Sequence, residues 1–149
     1  MNWVEPLLYN KLIINGFLAW FCSQILKTIT NAVINKRIDL LRMVGDGGMP
    51  SSHSATVTAV ATTCAITYGL SSFQFGVTVI LAFIVMHDAM GVRQETGKHS
   101  KILNQMIEFI ESMEKDLTFE EKMKEFVGHT PMQVIVGAVL GIFIALVLP

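Results

Sequence analysis

Charge is what this 149-residue chain has least of. Asp, Glu, Lys and Arg together make up only 15% of it, and 11 basic against 12 acidic residues leave a net charge of -1. A balance so near zero excludes nucleic acid as a partner, because phosphate backbones select for a basic surface. Cysteine is scarce too. Cys22 and Cys64 both fall in apolar segments without metal-ligand spacing, and read as small buried hydrophobes. The N-terminus lacks a basic start and a small-residue cleavage pattern, and its apolar run continues into Gln24 and Lys27, so it reads as retained and not as a signal peptide. There is no internal repeat and no low-complexity tract. In place of charge the chain carries apolar residues: 52% are hydrophobic and the mean hydropathy is +0.52. That apolar share exceeds what soluble domains carry. The size fits one domain over residues 1–149.

Four apolar stretches are candidate membrane spans: residues 12–34, interrupted by Gln24 and Lys27; 54–70; 73–90, ending on His87 and Asp88; and 132–148. Crossing the hydrocarbon takes roughly 20 helical residues, so the last three are short and need extended ends or a thinned bilayer. Gly69 to Ser72 is a brief uncharged turn that forces an antiparallel hairpin. Basic residues gather elsewhere, with Lys36, Arg37 and Arg42 before the second span and Arg93, Lys98, Lys101, Lys115, Lys122 and Lys124 before the fourth. Four spans put both stretches on one side, and the positive-inside tendency makes that side cytoplasmic.

Within the long loop 91–128, Ile102, Met106, Phe109, Ile110, Met113 and Leu117 recur at helical spacing, with Glu108, Glu111, Glu114 and Lys115 on the other face. This pattern predicts an amphipathic helix. Its acidic polar face argues against anionic lipid and for packing on the bundle or on a second copy, that is, a homo-oligomer. Thr118-Phe119-Glu120-Glu121 has capping-box form and predicts a second short helix closed by Gly128. The expected fold is an all-α integral membrane helical bundle, with about four transmembrane helices and a cytoplasmic amphipathic helical hairpin.

One stretch concentrates unusual chemistry: Gly47-Gly48-Met49-Pro50-Ser51-Ser52-His53-Ser54-Ala55. The glycines permit left-handed backbone, and Ser51 or Ser52 is a natural N-cap. A helix start suits an anion such as phosphate, and His53 lies within its first turn. The topology brings His53, His87, Asp88, Arg93, His129 and Lys27 to one end of the bundle. Ionisable groups converging in lipid call for mutual pairing or a shared ligand. Two imidazoles with Lys and Arg suit phosphoryl transfer without a metal: one attacks phosphorus, the other protonates the leaving oxygen, and the cations hold the non-bridging oxygens. The plainer reading of each residue is an interface marker, a capped turn or, for Asp88 and Arg93, a structural ion pair.

Three motifs in order then carry a resemblance: Gly47 to Ala55, His87-Asp88-Ala89-Met90-Gly91-Val92-Arg93 followed by Gly97-Lys98-His99, and Gly128-His129-Thr130-Pro131-Met132-Gln133-Val134. Together they resemble the divergent branch of the type-2 phosphatidic acid phosphatase superfamily, related to acid phosphatases and vanadium-dependent haloperoxidases. The resemblance covers most of the chain. It implies metal-free phosphatase chemistry on a lipid phosphate, with no cofactor and no metal. It maps His53 to the general acid and His129 to the nucleophile.

The family pattern places an Asp four residues after the nucleophile, where this chain has Gln133, which holds a tautomer but supplies no charge. The family's Ser-Arg before that histidine is replaced by Lys122 and Met123, with Arg93 as the available arginine. Its first motif, a Lys followed by Arg-Pro, has no match; Lys27, Lys36 and Arg42 are the substitutes, and Arg42 precedes Met43. The expected site therefore has His53 and His129 as catalytic groups and Lys27, Arg42, Ser51, Ser52 and Arg93 on phosphate. Gly47, Gly48, Asp88 and Gln133 support them. The expected location is a bacterial plasma membrane with the site facing the cytoplasm. Two other readings stand beside this one: a non-catalytic membrane protein that binds anionic headgroups or a partner chain, and a metal site built from His53, His87, Asp88 and His129.

Overall fold

The helix boundaries follow local capping chemistry. A computed structural model describes residues 5–37, 43, 47–113, 123 and 128–148, and among these every regular element is a helix. After a short α1 (Glu5–Leu8), α2 (Lys11–Asn35) starts at Asn10, whose Oδ1 accepts from the amides of Leu12 and Ile13 at 3.0 and 3.4 Å. It ends at Lys36, which turns left-handed with φ 50°. α3 (Ser52–Tyr68) is capped by Ser51, and α4 (Phe73–Met90) by Ser72, with the turn at Gly69 between them. α6 (Pro131–Val147) opens with a capping box: Thr130 takes the Gln133 amide and Gln133 takes the Thr130 amide.

The four expected spans match α2, α3, α4 and α6 to within two residues at each end. α3 lies in the middle and packs on the other three. The two runs Lys11–Asn35 and Phe73–Met113 are long and apolar enough to cross a membrane, and Pro131–Val147 is a shorter apolar helix. At one end of the bundle Asn15 joins three helices, its Nδ2 donating to Thr63 Oγ1 at 2.9 Å and to the Leu148 carbonyl at 2.8 Å. The chain thus alternates in direction, with α3 and α6 parallel. At the opposite end Ser51 N bonds the Gln133 carbonyl and His129 N the Ala89 carbonyl.

Packing is small inside and large outside. The core is Ala19, Ala55 and Ala59 with Ile144, while Ile80, Phe83 and Phe143 are more than 60% exposed. Such a surface would aggregate in water, but in lipid it is the ordinary outer face, and small residues let helix backbones close up. Gly137 and Gly141, one turn apart on α6, do this against α3. A Cβ on Gly137 would overlap the Ser51 carbonyl, and one on Gly141 would overlap the Ala55 carbonyl and the Thr58 hydroxyl. The architecture is an integral membrane helical bundle.

Two differences from the sequence reading concern the loop 91–128. Its first helix, α5 (Val92–Met113), begins directly after α4, because one glycine does not interrupt the bonding ladder: Gly91 N donates to His87 O and Glu95 N to Gly91 O. Its apolar stripe also does not pack on the described bundle, since Ile102, Met106, Phe109 and Met113 are each more than half exposed. The inward face is instead Gly97, Ser100 and Asn104, and Asn104 grips the Met123 backbone through both amide atoms at 2.8 and 2.9 Å. The second helix expected at Thr118 to Glu121 lies outside the described residues.

The Asn15 clasp gives a stability test. Asn15→Leu removes one buried and one part-buried bond and leaves the Leu148 carbonyl without this donor. It should cost about 1–3 kcal/mol, read as a lower thermal midpoint in detergent, without disturbing the opposite end of the bundle.

Candidate functional site

At that opposite end, the turn before α3 is shaped by glycine. Gly47 and Gly48 have φ of 81° and 84°, which L side chains rarely adopt. The Cβ that Gly48 lacks would sit 3.2 Å from Lys27 Cγ, so the turn closes directly over the stem of Lys27. Lys27 is only 3% exposed, a cation held inside the bundle. The sequence reading placed its cationic end at this level, two turns from the end of α2.

Ser51 is fully buried. Its Oγ accepts from the Ser54 amide and lies 3.1 Å from Ser54 Oγ, so it serves as the α3 cap. Its amide donates to the Gln133 carbonyl at 3.0 Å, which ties the first motif to the first turn of α6. Ser52 opens α3, is 6% exposed, and gives its carbonyl to Thr56 Oγ1. His53 follows, half-buried, in the first turn.

His129 meets it there. The two imidazole centroids are 5.7 Å apart, with their planes at 64°. His129 is 3% exposed and held from two sides. Its amide donates to the Ala89 carbonyl at 2.9 Å, and its Nδ1 lies 3.1 Å from Gln133 Oε1. That same Oε1 accepts the Thr130 amide at 3.1 Å. An oxygen already taking a backbone N–H can only accept from the ring as well, so Nδ1 carries the proton and Nε2 keeps its lone pair. Burial pushes the His129 pKa below the usual histidine value. The Gln133 hydrogen bond opposes this in part, and the charges of His53, Lys27 and Arg93 add to it.

The start of α5, which carries Arg93, meets the site at Gly128. With φ 94°, Gly128 packs so closely on the start of α5 that a Cβ would sit 2.6 Å from Gln94 N and 2.9 Å from the Arg93 backbone. Arg93 Nε also pairs with Asp88 Oδ2 at 3.3 Å, in a half-exposed ion pair worth about 0–1 kcal/mol. His87 does not join. It is exposed and stacks on Phe83, with centroids 6.2 Å apart. Arg42 lies outside the described residues. No three His, Cys, Asp or Glu side chains converge as a metal-ligand set among the described residues.

Sequence reasoning missed three supports: the Ala89 carbonyl, the Gly128 contact and the Thr130–Gln133 capping box. Only the last had a legible signal, since Thr130-Pro131-Met132-Gln133 has the spacing of that motif.

A membrane-embedded helical bundle with two apposed imidazoles and two cations at one rim defines a narrow class of protein. The comparisons narrow it further: the model of the Divergent PAP2 family matches residues 8–144, which include every described residue of this site, and the chain belongs to that family. It is 35% identical to a Bacillus subtilis (strain 168) protein described as the uncharacterized membrane protein YuiD, over 95% of this chain and 96% of that one. No solved structure matches the chain significantly.

Proposed function

We propose that this protein is a metal-independent membrane phosphatase acting on a lipid phosphate monoester or pyrophosphate at the cytoplasmic face of a bacterial plasma membrane. The observation that carries the reading is the 5.7 Å approach of the His53 and His129 rings, beside the buried Lys27 and next to Arg93. His129 Nε2 attacks phosphorus, the P–O bond to the lipid breaks, and His53 gives its proton to the departing oxygen. Water then attacks the phosphohistidine. Its proton goes to His53, the N–P bond breaks, and inorganic phosphate leaves. Lys27 and Arg93 neutralise the non-bridging oxygens, with Ser51 and Ser52 at the helix start beneath them. Orientation toward the cytoplasm rests on the Lys and Arg bias of the connections at this end.

The test is phosphate release from lipid phosphates by purified protein in EDTA, together with an acid-labile phosphohistidine mapped to residue 129. One observation favours a second reading, a headgroup-binding protein without turnover: Gln133 gives His129 orientation but no compensating negative charge. Tight orthovanadate binding without phosphate release from any lipid phosphate would select it.

Gln133→Glu separates orientation from charge. A nucleophilic His129 must be neutral, so the rate falls as pH drops through its pKa, which burial holds below 6.5. A carboxylate at residue 133 stabilises the imidazolium and raises that pKa. The acid limb of the pH–rate profile should therefore move to higher pH in the variant, the macroscopic value belonging to the coupled His53–His129 pair.

A further inference from the structure

We infer that the cleft between α2 and α6 holds a hydrocarbon chain of the lipid whose phosphate sits at the His53–His129 rim. The cleft measures about 390 Å³. Leu26 and Thr30 form one wall, Val139 and Phe143 the other, and Met49 and Pro50 close the end toward the rim. The inference rests on the proposed phosphate site for the position of the headgroup only.

Continuity with that site is the first support. Pro50 is bonded to Ser51, whose amide is fixed to the Gln133 carbonyl. The α6 wall begins at Val136, one turn beyond Gln133. The cleft thus starts where the phosphate site stops. Length is the second support. From Val136 to Phe143 the wall descends about 10 Å, and one leaflet of the hydrocarbon core is about 15 Å deep. The cleft therefore runs from the rim toward the midplane along most of one leaflet. Chemistry is the third. Thr30, the polar member among the described lining residues, turns its hydroxyl onto its own helix and donates to the Leu26 carbonyl at 2.8 Å. Among the described lining residues nothing would satisfy a sugar, a peptide or a second headgroup, whereas methylene groups need no partner.

The experiment places the full chain in phosphatidylcholine nanodiscs. It compares two photoactivatable lipids with the same diazirine-bearing chain: a phosphate monoester, phosphatidic acid, and phosphatidylcholine. Crosslinks are mapped by mass spectrometry. The phosphate monoester should label Leu26, Val139 and Phe143 about tenfold more than phosphatidylcholine does. Val139→Trp, or Leu26→Trp from the facing wall, should remove that excess, as should orthovanadate. Equal labelling by both lipids makes the cleft a bulk-lipid contact and overturns the inference, as does labelling indifferent to both tryptophans. The readout needs no turnover, so selective labelling by a protein that hydrolyses nothing keeps the chain site and removes only the hydrolase reading. Where the protein does turn over, Val139→Trp should raise KM for the long-chain lipid about tenfold, or about 1.4 kcal/mol. Hydrolysis of water-soluble glycerol phosphate should stay unchanged, and equal loss on both substrates also overturns the proposal.

Discussion

His129→Ala should abolish phosphate release and phosphoenzyme formation together, while His53→Ala should slow hydrolysis in a way that depends on the leaving group. Removing a covalent nucleophile leaves no alternative path, and losses of about 10⁶-fold in kcat are the scale for such groups. A general acid contributes about 10²–10⁴-fold. Its contribution vanishes when the departing oxygen needs no proton. His53→Ala should therefore cost that factor on an alkyl phosphate but form the phosphoenzyme normally from p-nitrophenyl phosphate. Stopped-flow measurement of phosphoenzyme on both substrates checks this. Equal impairment on both substrates would assign His53 to positioning and not to proton transfer. The roles are those the family resemblance implies, and the hydrogen bonds of His129 agree with the proposal. His129 is the ring whose Nδ1 is held by Gln133, leaving Nε2 as the free lone pair.

Gly141→Leu should undo the bundle and the site together. The new side chain would be driven into the Ala55 carbonyl and the Thr58 hydroxyl, backbone and side chain of a central helix packed on three others. Overpacking of this kind costs about 3 kcal/mol or more. Because α3 carries His53 and α6 follows His129, wedging them apart also separates the imidazoles. A lowered thermal midpoint and lost activity should appear in the same variant. Gly76→Ala is the control: it lies in the first turn of α4 with open space around it and should be neutral or slightly stabilising. An unchanged midpoint in Gly141→Leu would mean that α3 and α6 do not pack this closely.

The spans were legible because hydropathy and caps agree. Asn10, Ser51, Ser72 and Thr130 each precede an apolar run, and each is an observed N-cap. The meeting of Lys27, His53, Arg93 and His129 at one end followed from counting spans. What could not be read was which face of each helix turns inward. In an apolar helix every face is hydrophobic, so hydropathy has no contrast to offer, and residue size decides instead. Gly137 and Gly141 carried that signal. The stripe of α5 misled for the related reason that amphipathicity names an apolar face without naming what covers it. The small polar face at Gly97, Ser100 and Asn104 turned inward, where Asn104 bonds the Met123 backbone.

The near-seamless passage from α4 into α5 bears on what an anion would meet at this rim. A helix carries a fractional negative charge at its last turn and a positive one at its first, about half an elementary charge each. α3 and α6 both begin here, so two positive poles face the pocket. α4 would ordinarily bring a negative pole against them. Its bonding runs on through Gly91 into α5, and the last-turn carbonyl of Ala89 is taken by the His129 amide. α2 overshoots as well, ending at Asn35, about 12 Å past Lys27. Among the described residues, two helix starts thus stand near the imidazoles, a backbone field that would draw the dianion of the proposed substrate before any side chain is counted.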